Sequence, residues 1–134
     1  MKTRRSFLTA GILIGGGALI GGGLHYRGQL NDQKLALLLT SFLDYADLAK
    51  STGKRILNTD TSLNTSSFDQ LIGDLLNSVE TSRDEVLNLT REGLLHKLHE
   101  RITLDFIEEN IVIVDGWILS KTEASMCVLA YQLP

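Results

Sequence analysis

Two histidines, His96 and His99, stand three positions apart, with Glu92 one turn before them and Glu100 beside them. On a helix this spacing puts two imidazoles on nearby faces, which is the beginning of a metal site. A metal centre needs further ligands and a supporting shell, whereas Lys97 and Arg101 interleave here. The pair reads as a solvated helix face, and no metal ligand is assigned. Asp115 and Glu123 pose as a carboxylate pair, with Ser120 between them as a nucleophile that would need a distant histidine. A simpler local role exists for each, since Asp115 suits a tight turn, Ser120 a helix cap, and Glu123 the answer to that cap. Cys127, the single cysteine, lies in an apolar run and reads as a small core residue. It has no partner for an internal disulfide. No catalytic residue and no cofactor is assigned.

These residues need elements to hold them, and the pattern from Asn31 onward is helical. Leu35, Leu38, Leu39, Phe42, Leu43, Ala46 and Ala49 form one stripe of a first helix, weakened at Ser51-Thr52-Gly53 and continued briefly by Lys54 to Leu57. The polar run Asn58 to Ser67 reads as a loop, after which Ser66 or Ser67 caps a second helix carrying Phe68, Leu71, Ile72, Leu75, Leu76 and Val79. Ser82 and Glu85 make a capping-box pattern opening a third, which runs to Phe106 with a break near Thr90 to Gly93. Ile111 to Leu119 holds two β-branched runs around Asp115-Gly116, the signal of a two-residue hairpin. Ser120 to Glu123 then opens a last helix through Ala124, Cys127, Val128 and Tyr131. The expected fold is mainly α: a small helical bundle with a short hairpin near 111–119, preceded by an N-terminal signal or anchor helix. Trp117 is the expected anchor of the hairpin in the core, or else of a partner on its surface.

Met1 to Leu24 is organised differently. Lys2, Arg4 and Arg5 form a cationic head, and Ser6 to Leu24 carries no charge, the layout of an export signal. The run Thr3-Arg4-Arg5-Ser6-Phe7-Leu8-Thr9 resembles the twin-arginine (Tat) motif, S/T-R-R-x-F-L-K, with Thr9 at the least demanding position. By that resemblance Arg4, Arg5, Phe7 and Leu8 are the signal residues, and the Tat translocase is a partner. Gly11, Gly15, Gly16, Gly17, Gly21, Gly22 and Gly23 dilute the apolar core, and moderate hydrophobicity is what Tat signals show. The same glycines fail as a dinucleotide loop, because the third required glycine falls on Ile20. Nineteen helical residues span about 28 Å, close to the roughly 30 Å of a bilayer's hydrocarbon. Residues 6–24 thus suit an uncleaved membrane anchor as well as a cleaved signal, with the chain beyond them in the periplasm. The expected division is 1–24 signal or signal-anchor, 25–30 linker, and 31–134 a single helical domain.

Of thirteen basic residues three lie in the head, leaving ten against sixteen acidic ones, a net charge of −6 beyond residue 24. That sign disfavours nucleic acid and anionic membrane surfaces. The stretch Val114-Asp115-Gly116-Trp117-Ile118-Leu119-Ser120-Lys121-Thr122-Glu123-Ala124 resembles the carboxy-terminal signature of a group of small bacterial Tat-signal proteins. A Tat signal on a small helical domain is also similar in plan to the small subunits of membrane-bound flavin-dependent sugar and alcohol dehydrogenases. That likeness implies a cofactor-free accessory subunit escorting, and tethering, a larger periplasmic oxidoreductase chain. Asp115, Gly116 and Trp117 are then the candidate interface. The alternative is a stand-alone periplasmic ligand-binding domain or a cofactor-free enzyme.

Overall fold

The computed structural model describes residues 3–4, 7–8, 32–59 and 67–133. Residues 9–24, where a signal or anchor helix is expected, lie outside them, as do the linker 25–30 and most of the loop after Asn58. Among the described residues no helix is long and apolar enough to cross a membrane.

The fold is mainly helical with one small sheet. In chain order it runs β1 (Thr3–Arg4), α1 (Asp32–Thr40), α2 (Ala46–Thr59), α3 (Phe68–Ser78), a short 3-10 turn (Glu85–Asn88) and α4 (Arg91–Ile107). The hairpin β2 (Ile111–Val114) and β3 (Trp117–Ser120) follows, and α5 (Lys121–Gln132) closes the chain. The single first helix expected from the leucine stripe is two helices. The stripe continues across the break, so periodicity conceals it; Tyr45, at φ 57°, turns the chain between them. Gly53, expected to weaken the helix, lies inside α2 because α5 presses on it. A Cβ there would stand 2.1 Å from the Cys127 carbonyl oxygen, so only glycine permits this approach.

α5 is the centre of the molecule. Every residue from Thr122 to Ala130 is buried, and its small side chains let neighbours pack on all sides, as expected of a helix with no polar face. α1, α2, α3 and α4 all pack against it. The caps are where local chemistry put them: Ser67 accepts from the Gln70 amide and Thr90 from that of Gly93. α3 and α4 end alike, with Glu80 and Glu109 left-handed and the next amide reaching back five residues, Thr81 to Leu76 and Asn110 to Asp105.

Asp115 and Gly116 have φ of 51° and 81°, the two positive values a type I′ turn requires. β2 and β3 pair antiparallel from Val114↔Trp117 to Ile111↔Ser120. The sheet has a third strand that the pattern does not announce. β1 lies parallel to β3, Thr3 opposite Trp117 and Arg4 opposite Ile118, which makes β3 the central strand.

Candidate functional site

The expected interface, Asp115, Gly116 and Trp117, sits at the tip of the hairpin. Asp115 is exposed and ion-pairs with Arg55 of α2. Trp117 is half-buried and, with Leu48, Ser51, Thr52, Arg55, Val114 and Leu119, lines a notch of about 140 Å³. Leu48, on its wall, presents apolar surface to solvent, as do Tyr45, at 75% exposure, at the start of α2 and Ile113 on the other face of the hairpin. Tyr45 owes its position to the left-handed turn that starts α2, a conformation that costs a non-glycine residue about 1–2 kcal/mol.

At the other end of β3 the buried acids and hydroxyls are matched by protein donors and acceptors. The first three amides of α5 need acceptors outside the helix. Lys121 donates to the Asn110 carbonyl at 3.0 Å, Thr122 to Asp105 Oδ2 at 2.9 Å, and Glu123 to Ser120 Oγ at 3.0 Å. Asp105 is 1% exposed and also accepts from the Thr122 hydroxyl at 2.7 Å and from Arg101 Nε at 3.0 Å. Glu108 and Asp105 hold the Arg101 guanidinium more firmly protonated than usual, Glu108 contributing most. Glu123 is fully buried: Oε1 accepts from the Ser120 hydroxyl at 3.0 Å, and Oε2 accepts from the backbone N–H of Phe7 at 2.8 Å.

Phe7 is thus joined to a residue 116 positions away. Its carbonyl accepts from the Asp44 amide at 2.8 Å, and Leu8 bridges antiparallel to Leu43. Phe7 is 1% exposed and Leu8 4%, so both belong to the core. The receiving turn is braced by Arg91, whose guanidinium lies 4.4 Å from the Phe42 ring centroid and donates to the Ser41 hydroxyl and carbonyl. Of the four expected signal residues, Arg4 is in β1, Phe7 and Leu8 are in the core, and Arg5 lies outside the described residues.

The remaining candidates are dispersed. Asp115 and Glu123 flank opposite ends of β3 rather than forming a pair, and the Ser120 hydroxyl is engaged with Glu123. His96 is exposed and pairs with Glu100, while His99 has its Nε2 enclosed. Among the described residues no three His, Cys, Asp or Glu side chains converge on a metal position. Burial, then the charge of Glu123, pushes the Cys127 thiol far above its ordinary value, which leaves it an unreactive core residue.

Asp105 is not among the expected site residues, though the signal is present in the chain. Leu98, Ile102 and Asp105 share one face of α4, and an acid on an apolar stripe must find donors. Beside it lies a cleft of about 410 Å³ among α3, α4 and α5, lined by Leu71, Leu75, Arg101, Glu108, Lys121 and Ser125 among others. Comparison with protein-family models, curated proteins and solved structures finds no match.

Proposed function

We propose that the chain is a non-catalytic accessory subunit that binds a larger periplasmic redox enzyme and escorts it through the Tat route. The observation that carries this reading is the division of polar and apolar groups. The acids and hydroxyls that could have done chemistry, Asp105, Glu123, Ser120 and Thr122, are consumed in buried hydrogen bonds. The notch beside Trp117 is instead open to solvent, with the exposed Leu48 on its wall and the Arg55–Asp115 pair at its rim. An aromatic anchor beside a small pocket, ringed by charge, is how binding surfaces concentrate their energy.

Co-expression with a larger chain that lacks a signal of its own tests the reading. Export of that chain is expected to stop when Arg4 and Arg5 are both changed to lysine and to fall when Trp117 is changed to alanine. Equal export of the large chain by the double-lysine variant overturns it. The stand-alone ligand-binding reading draws on the 410 Å³ cleft, where Leu71 and Leu75 face Arg101 and Lys121, a mixed lining suited to a small amphipathic acid. Retention of such a ligand by the purified monomer would favour it.

A further inference from the structure

We propose that the edge of β3, Glu123 and the Phe42–Asp44 turn form a peptide-binding groove whose resident ligand is the chain's own twin-arginine segment, so that the folded domain withholds that segment from export. The groove stands on geometry alone; the withholding rests on the Tat reading above.

The contacts are those of an extended peptide added to a sheet, where main-chain bonds give affinity and a side-chain pocket gives selectivity. Thr3 and Arg4 extend the sheet beside Trp117 and Ile118. Phe7 has both main-chain groups engaged, its N–H by Glu123 Oε2 and its carbonyl by the Asp44 amide, each at 2.8 Å. Its ring and the Leu8 side chain are enclosed by the core. Glu123 has a stake in this arrangement. Fully buried, it depends on the Phe7 amide to satisfy Oε2, so departure of the segment strands a carboxylate oxygen inside the domain.

Phe7 and Leu8 are also the apolar positions of the export pattern, and a receptor that reads their side chains cannot do so while both are in the core. The docked and the receptor-bound states exclude each other. A segment held by a few contacts is the kind of unit that opens locally without global unfolding. Export then draws on the opened fraction, and weakening the groove raises that fraction.

Hydrogen exchange on the purified full-length chain tests the groove. The Phe7 amide is expected to be protected, and Glu123→Ala to lower that protection by about tenfold, as loss of one hydrogen bond implies, while the amides of α5 stay protected. Leu43→Asp, which puts a charge at the half-buried residue whose backbone bridges Leu8, serves as the second variant should Glu123→Ala fail to fold. Free exchange at Phe7 in the unaltered chain overturns the groove whatever export does. Pulse-labelled export in cells with and without the Tat translocase tests the withholding. Faster translocase-dependent export of either variant supports it, and export at the unaltered rate by a variant with an unprotected Phe7 amide overturns it. Export that persists without the translocase defeats the Tat reading and the withholding with it, and leaves the groove standing on its exchange data.

Discussion

The stretch Val114 to Glu123 is continuous in the chain but divides into two regions with opposite characters. Its first half forms the hairpin tip, where Asp115 and Gly116 are exposed and the Asp115 charge is matched by a direct, solvent-exposed contact with Arg55. Its second half, from Leu119, dives into the core, where Ser120, Thr122 and Glu123 are buried and hydrogen-bonded to other protein groups. An exposed ion pair is worth little because water screens it. Buried polar groups contribute modestly when matched and are costly when one partner is removed. The same kinds of residue, an acid and its donors, thus hold the domain together at one end of β3 and face solvent at the other, where a partner could reach them.

The largest expected effect lies at the buried end. Asp105→Ala removes the acceptor for Arg101, the Thr122 hydroxyl and an α5 amide together, and should cost about 3–5 kcal/mol. Urea unfolding followed by circular dichroism measures it. Glu123→Ala strands the Phe7 amide and the Ser120 hydroxyl, for about 2 kcal/mol by the same method.

Cys127 lies one turn beyond Glu123 and gives the pH dependence of this end. Its folded-state thiol is raised, so the folded domain disfavours the thiolate that the unfolded chain forms above about pH 8.5. Its contribution is complete below that value and is lost as pH rises, by about 1.4 kcal/mol per pH unit. Comparison of the unaltered chain with Cys127→Ala between about pH 8 and 10 isolates the slope.

At the tip the effects should shrink. Gly116→Ala meets open space but forces a side chain to φ 81°, for about 1 kcal/mol, read as a shift in melting temperature. Arg55→Ala, which breaks the exposed pair, should cost under about 0.5 kcal/mol. If Arg55→Ala proved as damaging as Asp105→Ala, the division of the two ends would be wrong.

Much of the fold is legible in the chain because its signals are local. The I′ turn follows from Asp115-Gly116 between β-branched runs, and the caps at Ser67 and Ser120 need only a hydroxyl and an amide three residues on. The break between α1 and α2 is hidden because Phe42, Leu43 and Ala46 continue the stripe on which a helix is read. Propensity alone makes Gly53 a weak point, whereas its part is steric, set by the carbonyl of Cys127 far along the chain. The candidate interface is a place in the chain that local pattern can mark, but its notch needs Leu48 and Arg55 from α2 to exist.

By itself, the sequence marked neither the break between α1 and α2 nor the 3-10 turn that stands where Ser82 and Glu85 are expected to open a helix. It determined that the domain is mainly helical, that Ser67 and Ser120 cap helices, that a two-residue hairpin precedes the last helix, and that a twin-arginine pattern opens the chain. These depend on neighbours within about four positions, where side-chain identity decides backbone geometry. Only the tertiary structure decided that α5 is enclosed on every side, that Asp105 and Glu123 cap and anchor from within, and that Phe7 and Leu8 join the core. Those facts depend on groups brought together across 17 and 116 positions, and no local propensity encodes which donor will reach which buried acid.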